Sequence, residues 1–170
     1  MNDIEKAINT IQTNKGVLYI LCGYPYAGKS YISQQILKGT DAVFMSIDDI
    51  FHSHGFDWDA NILPNAEQWR MIFDESYERT KEALKEGKNV LYDSTNQTFE
   101  SREKLREIAR SVGADSRVLF VSSPEDTVWK RWQENIENRS RPVVSRELVQ
   151  QTIAAFEPPT EQEQVLVIKN

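Results

Sequence analysis

Cysteine is nearly absent from this 170-residue chain, which has Cys22 alone, so no disulfide can form within it and a scaffold held by cross-links is excluded. Histidine is almost as scarce. His52 and His54 are the only two; a metal centre wants more ligands, and an exposed or substrate-side location is expected for both. Glycine numbers seven, and no stretch is Gly/Ser-rich, repeated or of low complexity, which leaves no linker and no repeat architecture. No apolar run approaches the length needed to span a bilayer, and Met1-Asn2-Asp3-Ile4-Glu5-Lys6 lacks the basic start and apolar core of a secretion signal. The cytosol, with no membrane partner, is therefore the expected (cytoplasmic) location. Positive charge is in deficit, with 20 Lys and Arg against 26 Asp and Glu for a net charge of -6. Bulk coating of nucleic acid is disfavoured by that balance, although a local basic groove is not.

What the chain does contain is a complete G-x-x-x-x-G-K-S pattern, Gly23-Tyr24-Pro25-Tyr26-Ala27-Gly28-Lys29-Ser30. The apolar run Val17-Leu18-Tyr19-Ile20-Leu21-Cys22 before it reads as a buried strand, with Cys22 an ordinary buried thiol. Helical apolar spacing follows at Ile32, Ile36 and Leu37. A triphosphate needs many donors in a small space, and backbone N–H groups in a glycine-bearing turn at a helix N-terminus supply them without crowding. In that geometry residues 23–31, Tyr31 included, contact the nucleotide. Lys29 bridges the β- and γ-phosphates, and the Ser30 hydroxyl coordinates Mg²⁺.

The length suits one domain over 1–170. Within it, an N-terminal helix (about Ile4 to Gln12, within 1–15) precedes alternating elements. Strands are expected at 17–22, 42–47, 89–92, 117–121 and 165–168, with helices after the loop to Gly39 and at about 65–86, 100–112, from 124 on, and from 145 until Pro158-Pro159. Such alternation implies an α/β fold, a parallel sheet with helices on both faces. Ligands bind there beyond the carboxyl ends of the strands. The loop, Asp48-Asp49 and Asp93-Ser94-Thr95-Asn96 all follow strands and should gather at one edge.

Phosphoryl transfer needs a clamped triphosphate, a metal, an oriented acceptor hydroxyl and cations over the moving group. Asp48 is placed to take the acceptor proton or hold the hydroxyl. Asp93 is a candidate for a Mg²⁺-bound water or for orienting the acceptor, and Asn96 for a substrate contact. Asp49 reads as a capping or solvated residue, and Ser94 and Thr95 as turn and capping residues. Arg131 and Arg139, eight residues apart, share a helical face if the helix persists until Pro142, which makes about 130–144 a candidate mobile lid. Phe51, Phe56, Trp58 and Trp69 form an aromatic stretch that lines an acceptor pocket or packs in the core.

From the phosphate loop, Ser46-Ile47-Asp48-Asp49, Tyr92 to Asn96, the helix start around Arg102, and Arg131 through Pro142-Val143, the chain resembles small P-loop kinases. The group includes the kinase domain of phage polynucleotide kinase and, more distantly, zeta toxins, chloramphenicol phosphotransferase and gluconate-type kinases, AAA-type ATP-binding kinase domains. The resemblance spans about 17–168. It implies a P-loop NTPase fold with a five-stranded parallel sheet in the order 2-3-1-4-5, ATP and Mg²⁺ as cofactors, Asp48 as the base, and a lid arginine at the transferred phosphate. One departure bears on the acceptor. The polynucleotide kinase pattern has an arginine three residues after the first Asp, whereas this chain has Phe51. Asp57 and Asp59 nearby would repel a phosphate.

The expected activity is transfer of the γ-phosphate of ATP to a hydroxyl of a small or nucleoside-like molecule. Two rivals remain at this point. One is a polynucleotide 5′-hydroxyl kinase that uses Arg70, Arg102 or lid residues for phosphate, and the other is a switch protein that hydrolyses ATP slowly with no small acceptor.

Overall fold

The structure, a computed structural model, describes residues 1–170. Strand β1 (Val17–Cys22) is buried at every position, as a strand covered on both faces must be. With β2 (Val43–Ser46), β3 (Val90–Asp93), β4 (Asp115–Ser122) and β5 (Val165–Lys169) it forms a sheet in the order β2-β3-β1-β4-β5. Every neighbouring pair is parallel. The expected fold and strand order are thus those observed.

Alternation along the strands divides the core in two. Tyr19, Leu21, Leu91 and Leu119 pack with Ile11 of α1 (Asp3–Thr13) and with Ile32 and Ile36 of α2 (Lys29–Gly39). On the opposite face Leu18, Ile20, Val90 and Val118 meet Phe51 of α3 (Ile47–Ser53), Ile72 of α4 (Ala66–Lys85) and Leu105 of α5 (Phe99–Ser111). Helices α6 (Glu125–Asn138) and α7 (Arg146–Ala154) form a third, small cluster, Val128 and Val149 around Tyr26 of the phosphate loop. No helix is long and apolar enough to cross a membrane.

Helix α3 was not expected from sequence. The apolar run 42–47 reads as one strand, but Ser46 ends it by accepting the Asp49 N–H at 3.3 Å, an N-cap with two carboxylates in the first turn. Asp48 therefore lies on a helix, not at a strand end. Most other boundaries shift by a residue or two, while α7 stops at Ala154, short of Pro158-Pro159.

Two buried polar side chains tie the layers together. Asn89 accepts from Val17 N–H at 3.1 Å and donates to the carbonyls of Ile11 and Asn14 at 2.8 and 2.7 Å, which closes α1 onto the start of β1. Arg102 is fully buried with Glu163. Its Nε donates to Glu163 Oε1 at 2.6 Å and its Nη1 to the Asn96 carbonyl at 3.0 Å, while Glu163 Oε2 accepts the Thr160 N–H at 2.8 Å. Loss of one partner strands a charge where water cannot reach it, a cost of about 3–5 kcal/mol. Arg102→Met and Glu163→Gln should each lower the urea midpoint far more than removal of the exposed Lys88–Glu86 pair, which contributes about 0–1 kcal/mol. A midpoint for either variant equal to that of the surface variant would contradict the assignment.

Candidate nucleotide and acceptor site

The register of the sheet sets the site. Leu21, Asp93 and Ser46 lie level across β1, β3 and β2, so residues that follow them emerge at one edge. Gly23 begins the phosphate loop where β4 passes so close that a Cβ would stand 2.5 Å from the Val121 carbonyl oxygen. Gly28, the N-cap of α2 at φ 96°, would set a Cβ 1.9 Å from Asn170 Nδ2. Neither position admits a side chain without displacement of its neighbour.

The loop is held from outside. Ala27 O accepts from Ser123 Oγ at 2.9 Å and from Asn170 Nδ2 at 2.8 Å, and Tyr26 O accepts from Arg131 Nη1 at 3.1 Å. Tyr26 itself is a buried non-glycine residue at φ 61°, a costly conformation that the surroundings enforce. Inside, the N–H groups of Tyr26, Gly28, Lys29, Ser30 and Tyr31 donate to no protein acceptor. Lys29 Nζ donates to the carbonyls of Gly23 and Tyr24 at 3.0 and 2.9 Å and has no carboxylate in ion-pair range. Burial lowers its pKa, with the Asp93 charge opposing. Convergent unpaired N–H groups, a helix N-terminus and an uncompensated ammonium fit a polyphosphate anion.

A cavity of about 520 Å³ opens from this loop, lined on one side by Pro25, Tyr26, Gly28, Lys29 and Ser30 and on the other by Asp48 and Asp93. Desolvation pushes the Asp93 carboxyl up to about 6, with Lys29 opposing and Asp48 and Asp49 adding to the rise. Asp48, at the open rim, is also raised by partial burial, with His52 opposing. Two carboxylates that line the same cavity as the phosphate loop, their affinities for protons lifted, suit divalent-metal and proton-transfer roles. Ser94 and Thr95 line the cavity too. Capping of α5 falls instead to Thr98, which accepts the Ser101 N–H at 3.1 Å. Burial lifts the Cys22 thiol to about 12 and leaves it inert.

Several expected contacts are not made. Asn96 is buried, and its Nδ2 donates to the Leu21 carbonyl at 2.8 Å, so its amide fixes the strand ends and does not face a substrate. Arg102, committed to Glu163, is not free for phosphate. The Tyr31 side chain points to solvent, and Gly23, Tyr24 and Ala27 shape the loop without lining the cavity. Helix α6 stops at Asn138 and Arg139 turns left-handed at φ 50°, which breaks the spacing that would align Arg139 with Arg131. Arg139 is exposed away from the cavity, and Arg131 braces the loop from behind. The arginine that lines the cavity is Arg141, with its guanidinium 3.8 Å from the centre of the Tyr26 ring. Asn135 causes this. Its Oδ1 accepts the Arg141 N–H at 3.1 Å and its Nδ2 donates to the Arg141 carbonyl at 3.2 Å, while Trp132 Nε1 donates to the Val144 carbonyl at 2.8 Å. The strap 139–145 is folded back over the loop by these bonds.

Asp93 also links pH to stability. A carboxyl whose folded pKa lies above its unfolded value takes up a proton on folding, so this group favours the folded state at low pH and opposes it as pH rises through about 6. In nucleotide- and metal-free protein, the wild type should therefore gain stability relative to Asp93→Asn between about pH 7.5 and about pH 5. Urea midpoints measured across that range check it, and a pH-independent difference would contradict it.

Known proteins share this architecture. A putative kinase from Chloroflexus aurantiacus superposes with a TM-score of 0.69 at 16% identity, covering 93% of this chain and 89% of that one. A gluconokinase from Sinorhizobium meliloti gives 0.61 at 16% identity over 92% and 83%. A chain of the Pnkp1/Rnl/Hen1 RNA repair complex gives 0.72 at 20% identity, matching 84% of this chain but 44% of its own length. At these identities the likeness is one of fold. A family model described as AAA domain matches residues 18–159, most of the chain including the phosphate loop and both carboxylates, and the protein belongs to that family.

Proposed function

We propose that the protein is a kinase, one that moves the γ-phosphoryl group of ATP to a hydroxyl of a small molecule and acts as a single domain in the cytoplasm. The observation that carries this reading is the set of unpaired N–H groups around Lys29, in the same cavity as two carboxylates. Lys29 and the loop amides hold the β- and γ-phosphates. Ser30 and Asp93 are the groups that would hold Mg²⁺, directly or through water, and the ion would neutralise charge on the bridging oxygens. Asp48, across the cavity, orients the acceptor hydroxyl and accepts its proton as the acceptor oxygen bonds to the γ-phosphorus and ADP leaves. Arg141 supplies positive charge over the transferred group. That the solved relatives include kinases supports the reaction class.

A small acceptor is favoured over a polynucleotide because neither Arg102 nor the position that holds arginine in the polynucleotide kinase pattern can read a distant phosphate, which leaves exposed Arg70 as the candidate outside the lid. Arg102 is sealed in its ion pair, and Phe51 is buried in the core.

Lys29→Ala should reduce ATP-dependent phosphoryl transfer by at least about 100-fold. Asp48→Asn should keep Mg–ATP affinity and lose about 100- to 10,000-fold in turnover. Calorimetric ATP titration combined with coupled ADP release separates the two, and unimpaired transfer by either variant would remove that residue from its role. Arg141→Ala should cost at least about 100-fold in turnover, with Arg139→Ala close to wild type. The reverse order would assign that role to Arg139 instead.

A further inference from the structure

The phosphate loop does not choose an acceptor, but the cavity beside it has an aromatic wall. Trp58, Trp69 and Phe73 line that wall beside Ile47 and Asp48. Behind them lies Phe51, fully buried, stacked on Trp58 with centroids 5.0 Å apart and planes 15° apart, and on Trp69 at 5.6 Å and 22°. Phe51 thus serves as the base of an aromatic platform. Trp58 has one face against Phe51 and remains 45% exposed. Core packing accounts for Phe51 and for most of Trp69, since large rings gain from burial. It does not account for a tryptophan left half open at a cavity.

Trp58 is also held in place. Asp57 and Ile62 exchange both backbone hydrogen bonds at 2.9 Å, Asp57 Oδ1 accepts the Ala60 N–H at 2.9 Å, and Asn61 takes the left-handed turn at φ 55°. A closed turn of this kind presents the ring with little freedom left to lose on binding. Charge narrows the choice further. The cations that line the cavity, Lys29 and Arg141, belong to the phosphate-loop side. Asp57 and Asp59 flank Trp58 in sequence and are exposed. An anionic acceptor would meet repulsion and no counter-charge at this wall.

We infer that the acceptor is an uncharged alcohol that carries an aromatic ring, the ring lying on the free face of Trp58 while its hydroxyl reaches Asp48. The inference rests on the kinase reading above and adds the chemical class of the second substrate. In the step itself the acceptor oxygen–phosphorus bond forms, the β–γ bridging bond breaks, the hydroxyl proton passes to Asp48, and ADP departs.

The test uses matched acceptors with Mg–ATP: p-nitrophenyl β-glucoside against methyl β-glucoside, which differ by the ring, and 3′-O-methyl-thymidine against thymidine 3′-monophosphate, which share the 5′-hydroxyl as sole acceptor and differ by charge. Acceptor-dependent ADP release should give a kcat/KM at least about tenfold higher for the ring-bearing glucoside, the scale of one aromatic stack, and a similar preference for the unphosphorylated nucleoside. Trp58→Leu should collapse the first ratio towards one, mainly through KM, and Trp58→Phe should restore most of it. Equal use of the two glucosides, a preference for the phosphorylated nucleoside, or a ratio that survives Trp58→Leu would overturn the inference and leave the kinase reading intact. Normal Mg–ATP binding with no acceptor-dependent ADP from any compound would overturn both.

Discussion

Backbone N–H groups with no protein acceptor are uncommon in a folded protein, and the turn at residues 26–31 carries several, open to the cavity, together with an ammonium that has no carboxylate partner. The surrounding structure exists to keep them so. Ser123, Arg131 and Asn170 grip the outer carbonyls of the loop. Asn96 binds the carbonyl of Leu21, near the end of β1 before the loop departs, and Arg102, itself paired with Glu163, in turn holds the Asn96 carbonyl. Each of these bonds satisfies an outward-facing acceptor and leaves the inward donors for an anion. The strained Tyr26 backbone is a consequence of the same arrangement.

Function is divided across the cavity by depth and by sign of charge. Lys29 lies deep in the loop and Asp93 lines the same cavity, where desolvation outweighs their mutual attraction for both groups. Asp48 stands nearer the rim, on the first turn of a helix whose buried Phe51 supports the Trp58 platform. One seven-residue helix thus carries both Asp48, the base in the proposed reaction, and the buried ring behind Trp58. The strap held by Asn135 and Trp132 brings Arg141 over the third side.

Much of this was legible in the sequence because it depends on local pattern. The loop declares itself by spacing, the parallel sheet by the alternation of short apolar strands with helices, and Asp93 by its place after an apolar run, whereas the strand order came only with the resemblance to small P-loop kinases. Residues whose roles depend on non-local geometry were not legible. Arg139 shares a helical face with Arg131 only if α6 continues, and the left-handed turn that ends it is enforced by Asn135 and by packing. Asn96 reads as a substrate ligand until Leu21 is found within hydrogen-bond distance. Helix α3 was hidden by an apolar run that continues one residue past its N-cap, although Ser46 followed three residues later by Asp49 was a usable signal. Glu163, the partner of Arg102 from 61 positions away, had no local mark at all.

Residue-resolved amide hydrogen exchange of the free protein and of its Mg–ATP complex tests the central claim most directly. The account requires the amides of Tyr26, Gly28, Lys29, Ser30 and Tyr31 to exchange readily in the free protein and to become protected together when Mg–ATP binds, with Arg139 unchanged. Protection of those amides before nucleotide is added, or nucleotide binding that protects a different segment and leaves them exchanging, would contradict it.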